Sequence, residues 1–198
     1  MSRGETGKIY VAGIDLAGEE ENEAALMIVN PKRDATVVTI GELDFTGGDD
    51  VNKQPKIKIV EHYRWVGRKH SELYLQLVDI IKEVWHCRRI AVDATGVGEP
   101  ALGSRVTPFT FTQKSKSELG FNLLASINSG RLKVYQGDGS EEYQEFCRET
   151  EKARSQYRPN QTMNYYVDPS DGHDDFLMSL ALVVEAGRLY IPRGARGL

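Results

Sequence analysis

Apolar positions fall in short blocks, and the spacing within each block predicts its element. Residues 8–15, KIYVAGID, form an apolar run closed by an acid, the pattern of a strand buried on both faces. Residues 24–29, AALMIV, stopped by Asn30-Pro31, predict a second strand paired to the first as a hairpin. Residues 35–45 predict a third, followed by a polar loop at 46–55. The pattern then alternates, with Ile57, Ile59, Glu61, Tyr63 and Trp65 set against Lys56, Lys58, Val60, His62 and Arg64. A period of two predicts a half-exposed strand, here with a basic outward face.

From Ser71 to Trp85 the period lengthens. Leu73, Leu77, Ile80, Ile81 and Val84 fall on one face of a helix. RIAVD at 89–93 is another short buried strand ending in an acid, and Thr107–Thr112 predicts a further strand. Ser115 and Glu118 read as a capping box opening a helix that carries Leu119, Leu123, Leu124 and Ile127 and stops at Gly130. A short strand at Leu132–Tyr135 follows. A helix opened by Ser140 has Tyr143, Phe146, Cys147 and Thr150 on one face. Arg154–Thr162 reads as polar and irregular, and Met163–Val167 as extended. The last helix, from about His173 to Ala186 with Gly187 as its stop, is apolar nearly all round and so buried. Strands first, then strand and helix alternating, predict one mixed α/β layer structure. The expected division is a flexible lead at 1–7, one domain at 8–187 and a basic tail at 188–198.

Composition narrows the class. The chain has 198 residues, 40% hydrophobic and 27% charged, enough to bury a core without staples. Two cysteines, Cys87 and Cys147, make neither a disulfide framework nor a CxxC pair, and both read as core positions on helical faces. No apolar run approaches the ~18–20 residues of a membrane helix. The net charge of −4 argues against nucleic acid, but its distribution does not. Residues 15–50 hold ten acids against Lys32 and Arg33, whereas Lys53, Lys56, Lys58, Arg64, Arg68 and Lys69 face only Glu61. Such blocks are either solvated surface or contact faces.

Three places could carry chemistry. Asp15 ends the first strand in GIDLAG, Asp93 ends a later one in VDATGVG, and Asp174 and Asp175 begin the buried helix in GHDD. Each has a bland alternative: a turn cap with Gly18, an Asx turn before Gly96, or acids favoured by a helix N-terminus. Together they point elsewhere. A charge at the end of a buried strand is costly unless paired, and ligand sites of open α/β sheets lie at those ends. Converging carboxylates repel unless a cation neutralises them, and hard oxygen donors select Mg²⁺ or Mn²⁺. His173 reads as a cap or hydrogen-bond partner more than as a ligand. Gly96, Gly98 and Gly103 form a loop able to bring amides to phosphate, or merely a turn. Lys114 and Lys116 at a helix start, and Arg148, Lys152, Arg154 and Arg158 with Tyr157 among them, are candidate phosphate contacts or plain surface. Gly7-Lys8 is followed by Ile9 and a strand, so it is not a P-loop.

GIDLAG, VDATGVGEP and GHDDFLMSLAL, in this order, resemble the nuclease domain of tailed-bacteriophage large terminase subunits, over Lys8 to Gly187. The resemblance implies an RNase H-like fold of the RuvC type, a mixed central sheet flanked by helices. It implies that Asp15, Asp93 and the Asp174-Asp175 pair hold two divalent metal ions, with Asp175 the nearer ligand of the pair. The activity it implies is two-metal hydrolysis of double-stranded DNA concatemers in viral genome packaging, leaving a 5′ phosphate and a 3′ hydroxyl. The implied partners are DNA, an ATPase domain preceding the nuclease, the small terminase subunit and the portal, in the host cytoplasm. With no ATPase half and Met1 followed by a short polar lead, the expectation is an excised domain or a natural stand-alone protein. The rival readings are a Holliday-junction resolvase or other RuvC-like nuclease, an actin-like ATPase fragment, and a non-catalytic DNA-binding module. A DEDD exonuclease expects a Glu where Ala17 stands.

Overall fold

The computed structural model describes residues 3–17, 35–46, 54–68, 70–93, 103 and 105–192. In chain order the elements are β1 (Ile9–Asp15), β2 (Ala35–Asp44), β3 (Lys56–Val66) and α1 (His70–Val78), which runs into a π-helical turn at Asp79–Val84. There follow β4 (Arg89–Asp93), β5 (Val106–Phe109), α2 (Gln113–Asn128), β6 (Leu132–Lys133) and α3 (Glu141–Lys152). A hairpin of β7 (Arg154–Tyr157) and β8 (Met163–Tyr166) precedes α4 (Asp175–Arg188). Among the described residues, six strands form one sheet in the order β5-β4-β1-β2-β3-β6. β1, β2 and β3 pair antiparallel, while β4 lies parallel to β1, β5 to β4 and β6 to β3.

The period-two geometry of β1 divides the core. Tyr10, Ala12 and Ile14 point to the α1 face, where they pack with Val38, Ile40, Leu73, Ile81, Trp85, Ile90 and Val92. Val11 points to the opposite face, among Val37, Ile59, Ala91 and the apolar stripes of α2, α3 and α4. α4 lies across β1, β2 and β4 on that face and is buried along nearly its whole length, as its all-round apolar sequence predicts. It sits directly on the backbone of β1. A Cβ at Gly13 would collide with the Ser179 carbonyl oxygen and the Val183 nitrogen, so glycine there permits the close approach.

Several elements depart from the sequence pattern for local reasons. The β2–β3 register shifts beside Ile40/Gly41, where Ile40 pairs with Glu61 and Gly41 with Ile59. Val60 is the extra residue of this bulge, which inverts the alternation that follows. His62, expected on the outward basic face, is therefore buried and stacks on Phe146 at 4.5 Å, while Tyr63 and Trp65 pack against the α1 core. The cap of α2 is Thr112 rather than Ser115: the Thr112 side chain accepts from the Ser115 amide, and the Ser115 side chain accepts from the Thr112 amide. Arg154–Tyr157, expected to be irregular, is a strand because Met163–Tyr166 pairs with it across a turn at 158–162. Gly187 does not stop α4. It lies inside the helix, against Ile57 and Leu43. Cys87 is buried as expected but lies between the π turn and β4, not on a helical face. The polar lead is docked at Gly4, whose amide donates to the Val84 carbonyl at 2.9 Å. The strand expected at 24–29, together with Lys53, Lys69, Gly96, Gly98 and the tail from 193, lies outside the described residues.

Candidate metal centre

The parity that divides the core also aims the acids. Asp15 shares the odd register of Val11 and Gly13, and Asp93 shares that of Ala91, so both carboxylates belong to the α4 face. Ile14 pairs with Val92 in the parallel β1–β4 ladder, which sets Asp15 and Asp93 next to one another at the carboxyl ends of neighbouring strands. Strands so paired lie ~4.8 Å apart. α4 starts over the same end of the sheet. Its first residue, Asp175, is buried, and its Oδ2 accepts from the amide of Ala35, the first residue of β2, at 2.8 Å. Ser179, one turn on, donates to the Gly13 carbonyl at 3.1 Å and stands in hydrogen-bond contact with Thr39 Oγ1 at 2.6 Å, fixing the rotation of the helix on β1. Thr39 Oγ1 in turn meets Nδ1 of His62 at 3.1 Å, and burial pulls the His62 pKa down to about 3.

Asp174 occupies the N-cap position of α4, but its side chain makes no capping bond. It turns instead to Lys116 on α2, with Nζ 3.8 Å from Oδ2. Lys116 also stands 5.4 Å from the centre of the Tyr165 ring. Burial, and then the carboxylates of Asp174 and Asp15, hold the Tyr165 hydroxyl far above the usual phenol range.

These placements leave Asp15 in an unfavourable field. Burial is the first cause raising its carboxyl well above the ordinary range; the charges of Asp175, Asp93, Asp174 and Glu149 follow in that order. Glu149, on α3, carries no sequence motif and was not among the expected acids. It is 3% exposed, and its Oε2 accepts from the amides of Phe176 at 2.7 Å and Leu177 at 3.4 Å. Burial and Asp175 push its pKa up to about 8 against the pull of those two amides. One signal in the sequence could have found it: Glu149 follows Phe146 by three, so it is an acid on the buried row of an amphipathic helix.

The donors fit a hard divalent cation, being carboxylate oxygens whose repulsion such a cation relieves. Among the described residues, no three side chains of His, Cys, Asp or Glu stand close enough as they are to enclose an ion.

Of the candidate phosphate contacts, the structure brings Lys116 to these acids. Lys114 pairs with Glu118 at 4.0 Å on the exposed side of α2, and Arg148 pairs with Glu145. Lys152 donates to the Asp171 carbonyl at 2.6 Å, and Arg154 pairs with Asp168 and Asp171. Those two bases clamp the loop that leads into α4. Lys56 and Lys58 lie at the other end of the sheet. Lys56 pairs with Asp44 and Ile57 with Leu43, which pairs with Ile9, six residues and ~20 Å along β1 from Asp15.

With this geometry in place, the likeness to solved structures is specific. The large terminase nuclease of thermophilic phage G20c superposes with a TM-score of 0.63 at 21% identity, over 93% of this chain and 85% of that one. Its magnesium-bound form gives 0.64 at 22%. The large terminase nuclease domain of Thermus phage P74-26 gives 0.64 at 20%, over 92% and 81%. The large terminase of bacteriophage HK97 gives 0.58 at 13% identity, with 40% of its length covered. The chain has the RNase H-like fold of these phage terminase nuclease domains. No family model matches the chain, and no curated protein is similar to it. Among the described residues, no helix is long and apolar enough to cross a membrane.

Proposed function

We propose that the chain is a divalent-metal-dependent endonuclease that cuts double-stranded DNA during viral genome packaging. One observation carries this reading: on the fold of terminase nucleases, Asp15 and Asp93 end neighbouring parallel strands on the face over which α4 begins with the buried Asp175. Asp15, Asp93 and Asp175 would hold two Mg²⁺ or Mn²⁺ ions, with Asp174 in a lesser role. Ions held there would supply the Lewis acidity that activates water for in-line attack at phosphorus and offsets charge on the leaving 3′ oxygen.

The chain's own residues do the rest. β1 and β4 fix two carboxylates side by side on one face, and α4 delivers the third over them. Ser179 and the Ala35 amide prevent that third carboxylate from turning away. Lys116 offers a cation beside the acids, a place where it could meet a DNA backbone phosphate. Packaging partners follow the same reading: an ATPase domain, a small terminase subunit and a portal.

Digestion of supercoiled plasmid in Mg²⁺, Mn²⁺, Ca²⁺ or excess chelator, without ATP, tests it. Nicking and linearisation in Mg²⁺ or Mn²⁺, absent in chelator and in Asp15→Asn, are expected. Cutting that persists in chelator contradicts the reading. Selective cleavage of four-way junctions with intact duplex untouched would move it to a resolvase.

A further inference from the structure

Among the described residues, the start of α4 is held from the sheet by the Ala35 amide and from another helix by Glu149. The first turn of any helix leaves amides without partners inside the helix, and a side chain at the N-cap usually accepts from one of them. Here the N-cap residue, Asp174, makes no such bond. The amides of Phe176 and Leu177 are taken by Glu149, 27 and 28 residues earlier and on a different helix. Cap replacement across a fold is costly in this position. It buries a carboxylate beside Asp175 and Asp15, which already repel one another.

We propose that Glu149 is a positioning residue of the candidate metal centre, an acceptor supplied by α3 that locks the first turn of α4 so that Asp175 stays over Asp15. This rests on the metal-centre reading above. The geometry defines what the role needs. Asp175 is gripped at its side chain by the Ala35 amide, and its backbone is gripped one and two residues later by Glu149. Without the second grip, the first turn can fray and the Asp175 carboxylate loses its fixed direction. The cap frees Asp174 from its ordinary N-cap duty, leaving that side chain to face Lys116. Because the role is one of reach and not of charge, glutamine should fill it through its amide oxygen. Aspartate, one methylene shorter, should not.

Binding of Mn²⁺ alone to the whole chain, measured by calorimetry well below the melting temperature, separates the possibilities. The expected result is a loss of about tenfold in Mn²⁺ affinity for Glu149→Ala and Glu149→Asp, the size typical of a lost partner behind a metal ligand. Glu149→Gln should remain within about twofold of the unaltered chain. A purely structural residue would lower the melting temperature and leave Mn²⁺ affinity unmoved, so unchanged affinity in Glu149→Asp overturns the role. Weakening of Glu149→Gln equal to that of Glu149→Asp also overturns it, because charge and not reach would then matter. This comparison holds even if Glu149→Ala fails to fold. Absence of Mn²⁺ binding by the unaltered chain would instead overturn the metal-centre reading, and this role with it.

Discussion

The two ends of the central sheet carry acids in opposite circumstances. At the end where β1 begins, Glu42 and Asp44 of β2 meet Lys8 and Lys58 in a ladder of ion pairs at 3.0–3.6 Å. Bonds from Thr46 and the Lys58 ammonium hold the Asp44 carboxyl far below its ordinary range. At the end where β1 finishes, Asp15 is pushed the other way by burial and by four further carboxylates. The residue type is the same, and so is the sheet. What differs is the surroundings: Asp44 is paired with Lys58, whereas Asp15 is buried among further carboxylates. One end neutralises its own acids, and the other is proposed to take positive charge from outside.

The largest effects should separate these ends by activity. Asp15→Asn, Asp93→Asn and Asp175→Asn should each lower plasmid cleavage by at least ~100-fold while remaining folded, because one fewer carboxylate also relieves repulsion. Asp174→Asn should cut measurably and need more Mn²⁺, since a water can stand between an outer carboxylate and a hard cation. Asp44→Asn should cut like the unaltered chain. Initial rates across a Mn²⁺ series decide this, and equal losses at Asp174 and Asp175 would make both direct ligands.

Next in size is the approach of α4 to β1. Gly13→Ala places a methyl against helix backbone that cannot yield like a side chain. Destabilisation of ~1–3 kcal/mol or more is expected, by urea unfolding, with cleavage reduced even at temperatures where the variant is folded.

A smaller and oppositely signed effect is expected with pH. Glu149 has an ordinary value of 4.5 and stands at about 8 in the fold, so it binds its proton more tightly when folded. The stability this contributes is complete below about 4.5 and lost as pH rises through about 8. Asp15 acts in the same direction. Asp44 acts in the reverse one, adding stability above its ordinary value that is lost only in strong acid. The chelator-treated chain should therefore melt at a falling temperature between pH 5 and 8.5, a trend that Glu149→Gln flattens; scanning calorimetry across that range checks it.

How far the sequence spoke depended on the range of the interaction. Asp15 and Asp93 were legible because a buried strand ending in an acid is a local pattern, and register parity turns that pattern into a shared face. The last helix was legible because it is apolar all round. His62 was misplaced because the bulge at Val60 is set by pairing with β2, which alternation within β3 cannot reveal. The β7 strand was missed for a similar reason, since its exposed, polar residues become a strand through β8. The ion-pair partners of Lys58, Glu42 and Asp44, were not legible because they lie on another strand. Glu149 was missed because its meaning depends on α4, whose first amides it takes.

The smallest expected effects concern DNA binding. Lys116→Glu should weaken duplex binding alike across sequences and lower the salt slope by about one. The double change Lys56→Glu plus Lys58→Glu, at the end where β1 begins, should leave both unchanged. Fluorescence anisotropy with a labelled duplex over a salt series checks this, and a reversed pattern would place the DNA face at the other end of the sheet.

The proposed divalent-cation site at the finishing end of β1 is tested most directly by calorimetric titration of Mn²⁺ into the chelator-stripped chain. Saturable binding is expected for the unaltered chain and for Asp44→Asn, and is expected to be lost in Asp15→Asn. Absence of binding, or binding that survives Asp15→Asn, would contradict the account.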